Sequence, residues 1–338
     1  MGYILDSNDM NQVLETLKKE YLIYAPKVFC GGGRLSDTDC VRYAEINSVE
    51  EIIFDRKSDY SFKEVLLPVS ETLFFFTEES VTEASARKKG AVIFVRSCDV
   101  HALERLDEMY LKNGAPDYYY QRLRENTLIV LMGCNSSDQT CFCVSMGTNK
   151  TDAYDLAVNK IAGKYEVDVK NRNLDSLFAE RKTERADITP MYVTENQTTV
   201  HIPANLDQRI IKSSMWQEYN SRCINCGRCN FVCPTCTCFT MQDLYHDENG
   251  KMGERRRVWA SCMVDGYTDV AGGGSYRKTN GERMRFKVLH KVYDYTKRTG
   301  HHMCVGCGRC DAICPEYISY SHCLNKLEAG MQEVIDHE

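Results

Sequence analysis

The sequence lacks the features of several common classes of protein. It contains no stretch of about 18 uncharged apolar residues, so we expect no membrane-spanning helix. Asp6 and Asp9 interrupt the N-terminal segment, which therefore does not resemble a secretory signal peptide. Positive charge is not in excess, since the formal net charge is −6, and no nucleic-acid partner is expected. These absences favour a cytoplasmic protein.

Glycine-rich segments occur, but none forms a complete dinucleotide-binding motif. Gly31–Gly33 and Gly272–Gly274 both lack the G-x-G-x-x-G spacing that places a helix N-terminus against a pyrophosphate. We therefore expect no flavin on this chain, and an oxidoreductase with its own flavin is disfavoured.

Cysteine, by contrast, is abundant, with 18 cysteines among 338 residues. Six lie in residues 1–150, none in 151–222 and twelve in 223–338. In a reducing cytoplasm such a pattern binds metal more often than it forms disulfides. The cysteine-free segment is polar and charged, and it favours a domain boundary near residue 210.

The N-terminal part has the pattern of a mixed α/β domain. Ala91–Val95 and Thr127–Met132 are short, continuous apolar runs, and the first is followed by a helical pattern. Such runs are typical of parallel strands that are buried on both faces. We therefore predict, within an α+β or mixed fold, an α/β domain with a partly parallel sheet in residues 1–210.

The C-terminal part contains one motif twice, as CINCGRCNFVCP from Cys223 and CVGCGRCDAICP from Cys304. Both copies read C-x2-C-x2-C-x3-C-P, the spacing of bacterial ferredoxins that bind 4Fe-4S clusters. The first three thiolates surround one cluster, whereas the fourth cysteine points to the other cluster. The predicted ligands are Cys223, Cys226, Cys229 and Cys314 for the first cluster, and Cys304, Cys307, Cys310 and Cys233 for the second.

This repeat predicts an α-helical, dicluster ferredoxin-like domain in residues 211–338, with a long insertion at 235–303. Paired C-x2-C motifs also build zinc sites, so a zinc-binding module is the alternative from another class of protein. No histidine stands at ligand spacing within either run, which favours iron and sulfur.

Four further cysteines form a second candidate centre. Cys98 and Cys134 follow the two apolar runs, and Cys141 and Cys143 form a C-x-C pair shortly afterwards. Because parallel strands end at the same edge of a sheet, we expect the first two thiols there. The four cysteines can hold a third 4Fe-4S cluster or a zinc ion, or they can be separate structural thiols.

Three cysteines in the insertion, Cys236, Cys238 and Cys262, have no clear fourth partner. They can complete another metal site or shield the clusters, and the spacing leaves this question open. The three that remain are interpreted as ordinary residues: Cys30, Cys40 and Cys323.

The order of these motifs resembles the family of iron–sulfur subunits of anaerobic sulfite reductase. The similarity extends from about residue 90 to 315. The related β-subunits of sulfhydrogenase-type nickel–iron hydrogenases share much of it. The motifs are RSCDVHAL at 96–103, GCNSSDQTCFC at 133–143, CINCGRCNFVCPTCTCF at 223–239, RRRVWASCMVDGYTDVAGG at 255–273, and HKVYDY with CVGCGRCDAICP at 290–315.

This resemblance implies the iron–sulfur, electron-transfer subunit of an NADH-dependent sulfite reductase complex. One partner would be a flavin subunit that oxidises NADH, and another a sirohaem subunit that reduces sulfite to sulfide. The resemblance also favours the third cluster over the other interpretations. The alternative partner is a nickel–iron hydrogenase.

The chain itself is not expected to bind sirohaem or to hold a catalytic centre for sulfite. Sirohaem reductases use a C-x5-C pair followed by a C-x3-C pair. Here both C-x3-C pairs belong to the ferredoxin runs, and six residues separate Cys134 from Cys141.

Overall fold

A computed structural model describes residues 2–34, 37–179 and 184–337. Contacts between residues divide the chain into two units, each built from segments that are separate in sequence. The first unit comprises 1–137, 149–194 and 241–258, and the second comprises 138–148, 195–240 and 259–338. A single boundary was predicted from the sequence, between residues 210 and 211. This boundary stays a prediction, because contacts show which segments lie together but not which of them fold independently.

The first unit is built on strands that form two sheets. The strands are β1 (Gly2–Leu5), β2 (Tyr21–Phe29), β3 (Cys40–Glu45), β4 (Ser70–Phe76), β5 (Val81–Glu83), β6 (Gly90–Val95), β7 (Thr127–Met132), β8 (Leu156–Ile161), β9 (Lys164–Val169), β10 (Glu184–Ala186), β11 (Phe239–Tyr245) and β12 (Gly253–Trp259). The helices are α1 (Ser7–Leu17), α2 (Lys63–Leu66), α3 (Ser97–Leu111), α4 (Tyr118–Arg124) and α5 (Ser176–Ala179).

The larger sheet has the order β10-β1-β9-β8-β7-β6-β2-β3 and is partly parallel, as predicted. Strands β2, β6, β7 and β8 pair in parallel, with Ala91 opposite Thr127 and Val95 opposite Leu131. The remaining neighbours pair antiparallel. Residues of β6 and β7 are buried in the core of this unit, which explains their continuous apolar sequence.

The smaller sheet has the order β11-β12-β4-β5, and it joins residues that are far apart in sequence. Gly253 lies opposite Phe76, and Val258 lies opposite Ser70. The segment 241–258 of the predicted insertion therefore belongs to the first unit.

The second unit is mostly helical and has short elements. They are α6 (Glu218–Arg222), α7 (Arg228–Phe231), β13 (Asp269–Val270), β14 (Gly274–Ser275), α8 (Asn280–Leu289), α9 (Tyr295–Thr299), α10 (Arg309–Ile313), α11 (Tyr320–Asn325) and α12 (Leu327–Asp336). A π turn at His290–Asp294 joins α8 to α9. Its core is made by apolar side chains of α8, α11 and α12, with several cysteines packed against them.

None of the helices in the described part of the chain is long and apolar enough to cross a membrane.

Candidate metal centres

The two ferredoxin runs fold in the same way. In each, a glycine with positive φ precedes a short helix: Gly227 (φ 72°) before α7 and Gly308 (φ 67°) before α10. Left-handed backbone strongly favours glycine, because a Cβ atom is strained there. The repeat in sequence is therefore also a repeat in local structure.

In the second run, glycine is required by the lack of room for a Cβ atom as well as by the backbone conformation. A Cβ atom on Gly308 would lie 2.1 Å from the carbonyl oxygen of Thr140, and one on Gly306 would lie 2.6 Å from that of Phe142. The Phe142 amide donates to the Gly306 carbonyl at 2.8 Å, and the Thr140 hydroxyl donates to the Gly308 carbonyl at 3.0 Å. Segment 138–148 is thus packed closely against this run.

Cys141 and Cys143 lie on that segment. The Sγ atom of Cys141 is 3.7 Å from the carbonyl oxygen of Cys307, and Cys143 Sγ is 3.7 Å from the side-chain oxygen of Asn196. The C-x-C pair is therefore held beside the second run within the second unit.

Cys98 and Cys134 belong to the first unit. They follow the neighbouring parallel strands β6 and β7, and Cys98 lies in the first turn of α3. Both therefore stand at the carboxyl edge of one sheet. The four cysteines predicted to hold a third cluster are shared equally between the two units, and their assignment to one cluster stays a prediction.

The thiols predicted for the first cluster line one cavity in the second unit. Its wall includes Cys223, Cys226, Cys229 and Cys314, together with Cys310 of the other predicted set. The rest of the wall is largely apolar and includes Met263, Met284 and Ile318. A thiol-lined, apolar cavity fits an iron–sulfur cluster, since thiolates are its ligands and burial keeps water away.

The positions of the possible ligands also bear on the alternative of a zinc site. Among the described residues, no three His, Cys, Asp or Glu side chains converge on a point where a single ion would bind. A structural zinc ion needs four ligands at about 2.0–2.3 Å from one centre. The thiols of the first predicted set line a cavity instead, which suits a cluster of several atoms.

Burial disfavours the charged form of the uncoordinated thiols. It raises the pKa of Cys304 to about 12 and the pKa of Cys310 well above its ordinary value. A metal-bound thiol, by contrast, is deprotonated outright. Free Cys304 and Cys310 are therefore poor nucleophiles, and a metal that binds them must displace their protons.

Two lysines lie among these thiols, and both are only 3% exposed. Lys287 is on α8 and Lys291 is in the π turn. Burial works against their charge, but attraction to neighbouring cysteines, in their deprotonated form, raises the pKa of each ammonium overall. Sequence reasoning did not identify them. Their four-residue spacing places both on one side of a helix, but no motif in the sequence marks that side as buried.

Cys236, Cys238 and Cys262 also lie in the second unit. The buried Asn230 side chain donates to Cys262 Sγ at 3.1 Å. A hydrogen bond from Cys262 is the main reason why the pKa of Cys238 falls to about 6. This trio forms no three-ligand site for one ion in the described structure, so the arrangement assigns no single metal ion to it.

Comparisons with known proteins agree with this geometry. Residues 222–318 match the model of the 4Fe-4S dicluster domain family. Along its length, the chain is 28% identical over 347 aligned residues to sulfhydrogenase 2 subunit beta of Pyrococcus furiosus. That alignment covers 98% of this chain and 100% of the relative. No solved structure matches the chain. The predicted relationship to sulfhydrogenase β-subunits is thus confirmed, and the chain is a relative of such a subunit with a 4Fe-4S dicluster domain.

Proposed function

We propose that the chain is the iron–sulfur, electron-transfer subunit of a multi-subunit oxidoreductase. The main support is the pair of ferredoxin runs, one of which supplies three of the five thiols around a single, largely apolar cavity. The proposed ligands are those predicted from spacing, in two sets: Cys223, Cys226, Cys229 and Cys314, then Cys304, Cys307, Cys310 and Cys233. Cys98, Cys134, Cys141 and Cys143 are the proposed ligands of a third cluster.

Clusters bound at these cysteines would accept and pass on single electrons. The residues of the chain then have three tasks. Cysteines hold the clusters, and apolar side chains such as Met263 and Met284 exclude water from the cavity. The closely packed loops at Gly227 and Gly308 fix the positions of the thiols. Bond-making chemistry on a substrate belongs to a partner subunit in this proposal.

The proposed partner is a hydrogenase of the sulfhydrogenase type, so the chain would be its β-type subunit. This choice is supported by the alignment with sulfhydrogenase 2 subunit beta, which runs along the whole chain. The second candidate is an anaerobic sulfite reductase that also contains a flavoprotein and a sirohaem protein. It is supported by the order of the motifs between residues 90 and 315.

The two candidates differ in the subunits that accompany the chain. Purification of the complex from its native source under anaerobic conditions, followed by mass spectrometry and metal analysis, distinguishes them. Stoichiometric nickel with a hydrogenase large subunit supports the first candidate. Extractable sirohaem and an NADH-oxidising flavoprotein support the second and contradict the first.

Replacement of one ligand tests the proposal at the metal centre. Cys226→Ala removes a thiol that lines the cavity, so we expect the loss of one cluster, about four iron atoms per chain. Iron and acid-labile sulfide are measured on protein purified anaerobically. The matched control is Cys30→Ala, which removes an exposed cysteine outside the runs and should leave the iron content unchanged.

An unchanged iron content in Cys226→Ala would contradict the ligand assignment. Colourless wild-type protein with stoichiometric zinc would contradict the electron-transfer function and support the zinc-binding module.

A further inference from the structure

The second unit contains two ammonium groups that are almost completely removed from water. Lys287 and Lys291 are each 3% exposed. Burial of an unpaired charge is strongly unfavourable, so a buried lysine needs an anionic partner or must lose its proton. Within the described residues, no carboxylate forms an ion pair with either lysine.

The groups that surround Lys287 come from both ferredoxin runs. Lys287 lines the same cavity as Cys229 and Cys310, and attraction to Cys229, Cys310 and Cys236 raises the pKa of its ammonium. On another side it stands 5.0 Å from the centre of the Tyr320 ring. Cys229 belongs to the first proposed ligand set and Cys310 to the second, so this charge faces both.

The surroundings of Lys291 are different. Its ammonium donates to the Thr235 hydroxyl at 2.8 Å, and that hydroxyl is 3.4 Å from Cys233 Sγ. The other sulfurs near the ammonium are those of Cys304 and Cys236. Cys233 and Cys304 both belong to the second proposed ligand set, so this charge faces mainly the second set.

Local structure fixes both lysines in place. A capping box of Thr279 and Glu282 starts α8, and the π turn that begins at His290 continues the helix past Lys291. The two lysines are four residues apart and lie on one side of this helix, next to the thiols. Their positions do not depend on flexible loops.

We propose that the ammonium of Lys291 raises the reduction potential of the cluster held by Cys304, Cys307, Cys310 and Cys233, and that the ammonium of Lys287 raises the potentials of both clusters. This inference rests on the function proposed above. Reduction adds one negative charge to a cluster, and a fixed positive charge in a medium of low polarity stabilises the reduced form. The thiolates that bind the clusters, in turn, supply negative charge that offsets the cost of burying the two ammonium groups.

The test uses the full chain in its complex and follows each cluster by EPR during a redox titration, with iron analysis of every sample. We expect Lys291→Met to make the midpoint potential of the second cluster more negative. The potential of the first cluster should change by a smaller amount. We expect Lys287→Met to make both more negative. Lys291→Arg, which keeps the charge, should return the affected potential towards the wild-type value.

The matched control is Lys297→Met, because Lys297 is an exposed lysine on the next helix. It should leave both potentials unchanged. Unaltered potentials in Lys287→Met and Lys291→Met, with full iron content, would overturn the inference while the proposed function stands. A wild-type protein without iron–sulfur signals would overturn the proposed function instead.

A variant that loses iron is also informative. If Lys291→Met loses one cluster and Lys291→Arg keeps it, the cluster needs the positive charge, which supports the inference. If both variants lose the same cluster, the shape of the lysine side chain is what matters, and the inference fails.

Discussion

At the scale of single residues, the glycines of the second run are more tightly restricted than the sequence alone reveals. The pattern C-x2-C-x2-C-x3-C-P predicts the thiols, because ligand spacing is set by the size of the cluster. It contains no information about Thr140 and Phe142, whose carbonyl groups occupy the space beside Gly308 and Gly306. Such contacts join residues more than 160 positions apart, and no local pattern predicts them.

Substitution of Gly308 tests this restriction. Gly308→Ala places a methyl group 2.1 Å from the Thr140 carbonyl oxygen, at a φ of 67°. We expect a loss of stability of about 2–4 kcal/mol, from backbone strain and overpacking together. The matched control is Gly300→Ala, which has a φ of 81° but no neighbour within 4 Å, so only backbone strain of about 1–2 kcal/mol applies.

Thermal unfolding of both glycine variants is measured anaerobically with the clusters bound. Equal losses in melting temperature would show that the contact with Thr140 adds nothing to the requirement for glycine.

The two buried lysines of the candidate site, Lys287 and Lys291, could not be predicted from the sequence either, but for a different reason. A lysine is not a ligand of iron–sulfur clusters, and in a sequence it normally indicates a solvated surface. Only the structure shows that Lys287 and Lys291 point to the interior of the second unit.

At the scale of elements, the buried parallel strands were predictable and the pairing of the second sheet was not. Strands β6 and β7 are continuous apolar runs, and this pattern is sufficient to recognise them. Strand β12 pairs with β4 across some 180 residues, and the buried Arg257 on it donates to Glu71 and Asp117. Such pairing depends on tertiary packing, which local propensity does not encode.

The π turn contains a histidine that should make stability depend on pH. Burial, aided by the charges of Lys291, Arg298 and Arg277, lowers the pKa of His290 from 6.5 to about 4. The unfolded chain therefore binds more protons than the folded chain between these two values. Stability should fall as the pH is lowered from about 6.5 towards 4.

The measurement compares wild type with His290→Asn at pH 7.5 and pH 5.5. We expect the wild type to lose about 1 kcal/mol more than the variant on this change of pH. The Phe286 ring stacks on His290 in the wild type, and loss of this stacking affects the variant at both pH values, so it cancels in the comparison. An identical pH dependence in the two proteins would contradict a half-buried, neutral His290.

At the scale of the whole molecule, the two units should depend on metal to different degrees. The first unit has an eight-stranded sheet with its own apolar core. The second unit has short helices, many thiols and two buried ammoniums, and its core includes cysteines. Binding of metal contributes directly to the folding free energy of such a region.

Removal of the clusters tests this difference. After oxidation and chelation of the iron, we expect trypsin to cleave first within residues 195–240 and 259–338, whereas the sheet of the first unit remains resistant. The cleavage sites are identified by mass spectrometry, with the cluster-loaded protein as control. Simultaneous cleavage throughout the chain would show that the first unit also needs the metal.

Prediction from sequence was least complete at this scale. The cysteine-free segment and the two runs indicate an α/β part followed by a dicluster part, and both are present. The assignment of residues 241–258 to the first unit was not predictable, because nothing in their sequence indicates pairing with β4.

The interleaving of the two units has a consequence for biosynthesis. The chain changes from one unit to the other at residues 137/138, 148/149, 194/195, 240/241 and 258/259. Cys314, a proposed ligand of the first cluster, is made only after every one of these changes. Neither unit therefore has all its segments until residue 258 has been synthesised, and the second unit needs residues beyond that point. The two ferredoxin-type clusters would be loaded only after their last ligands, Cys310 and Cys314, have been synthesised.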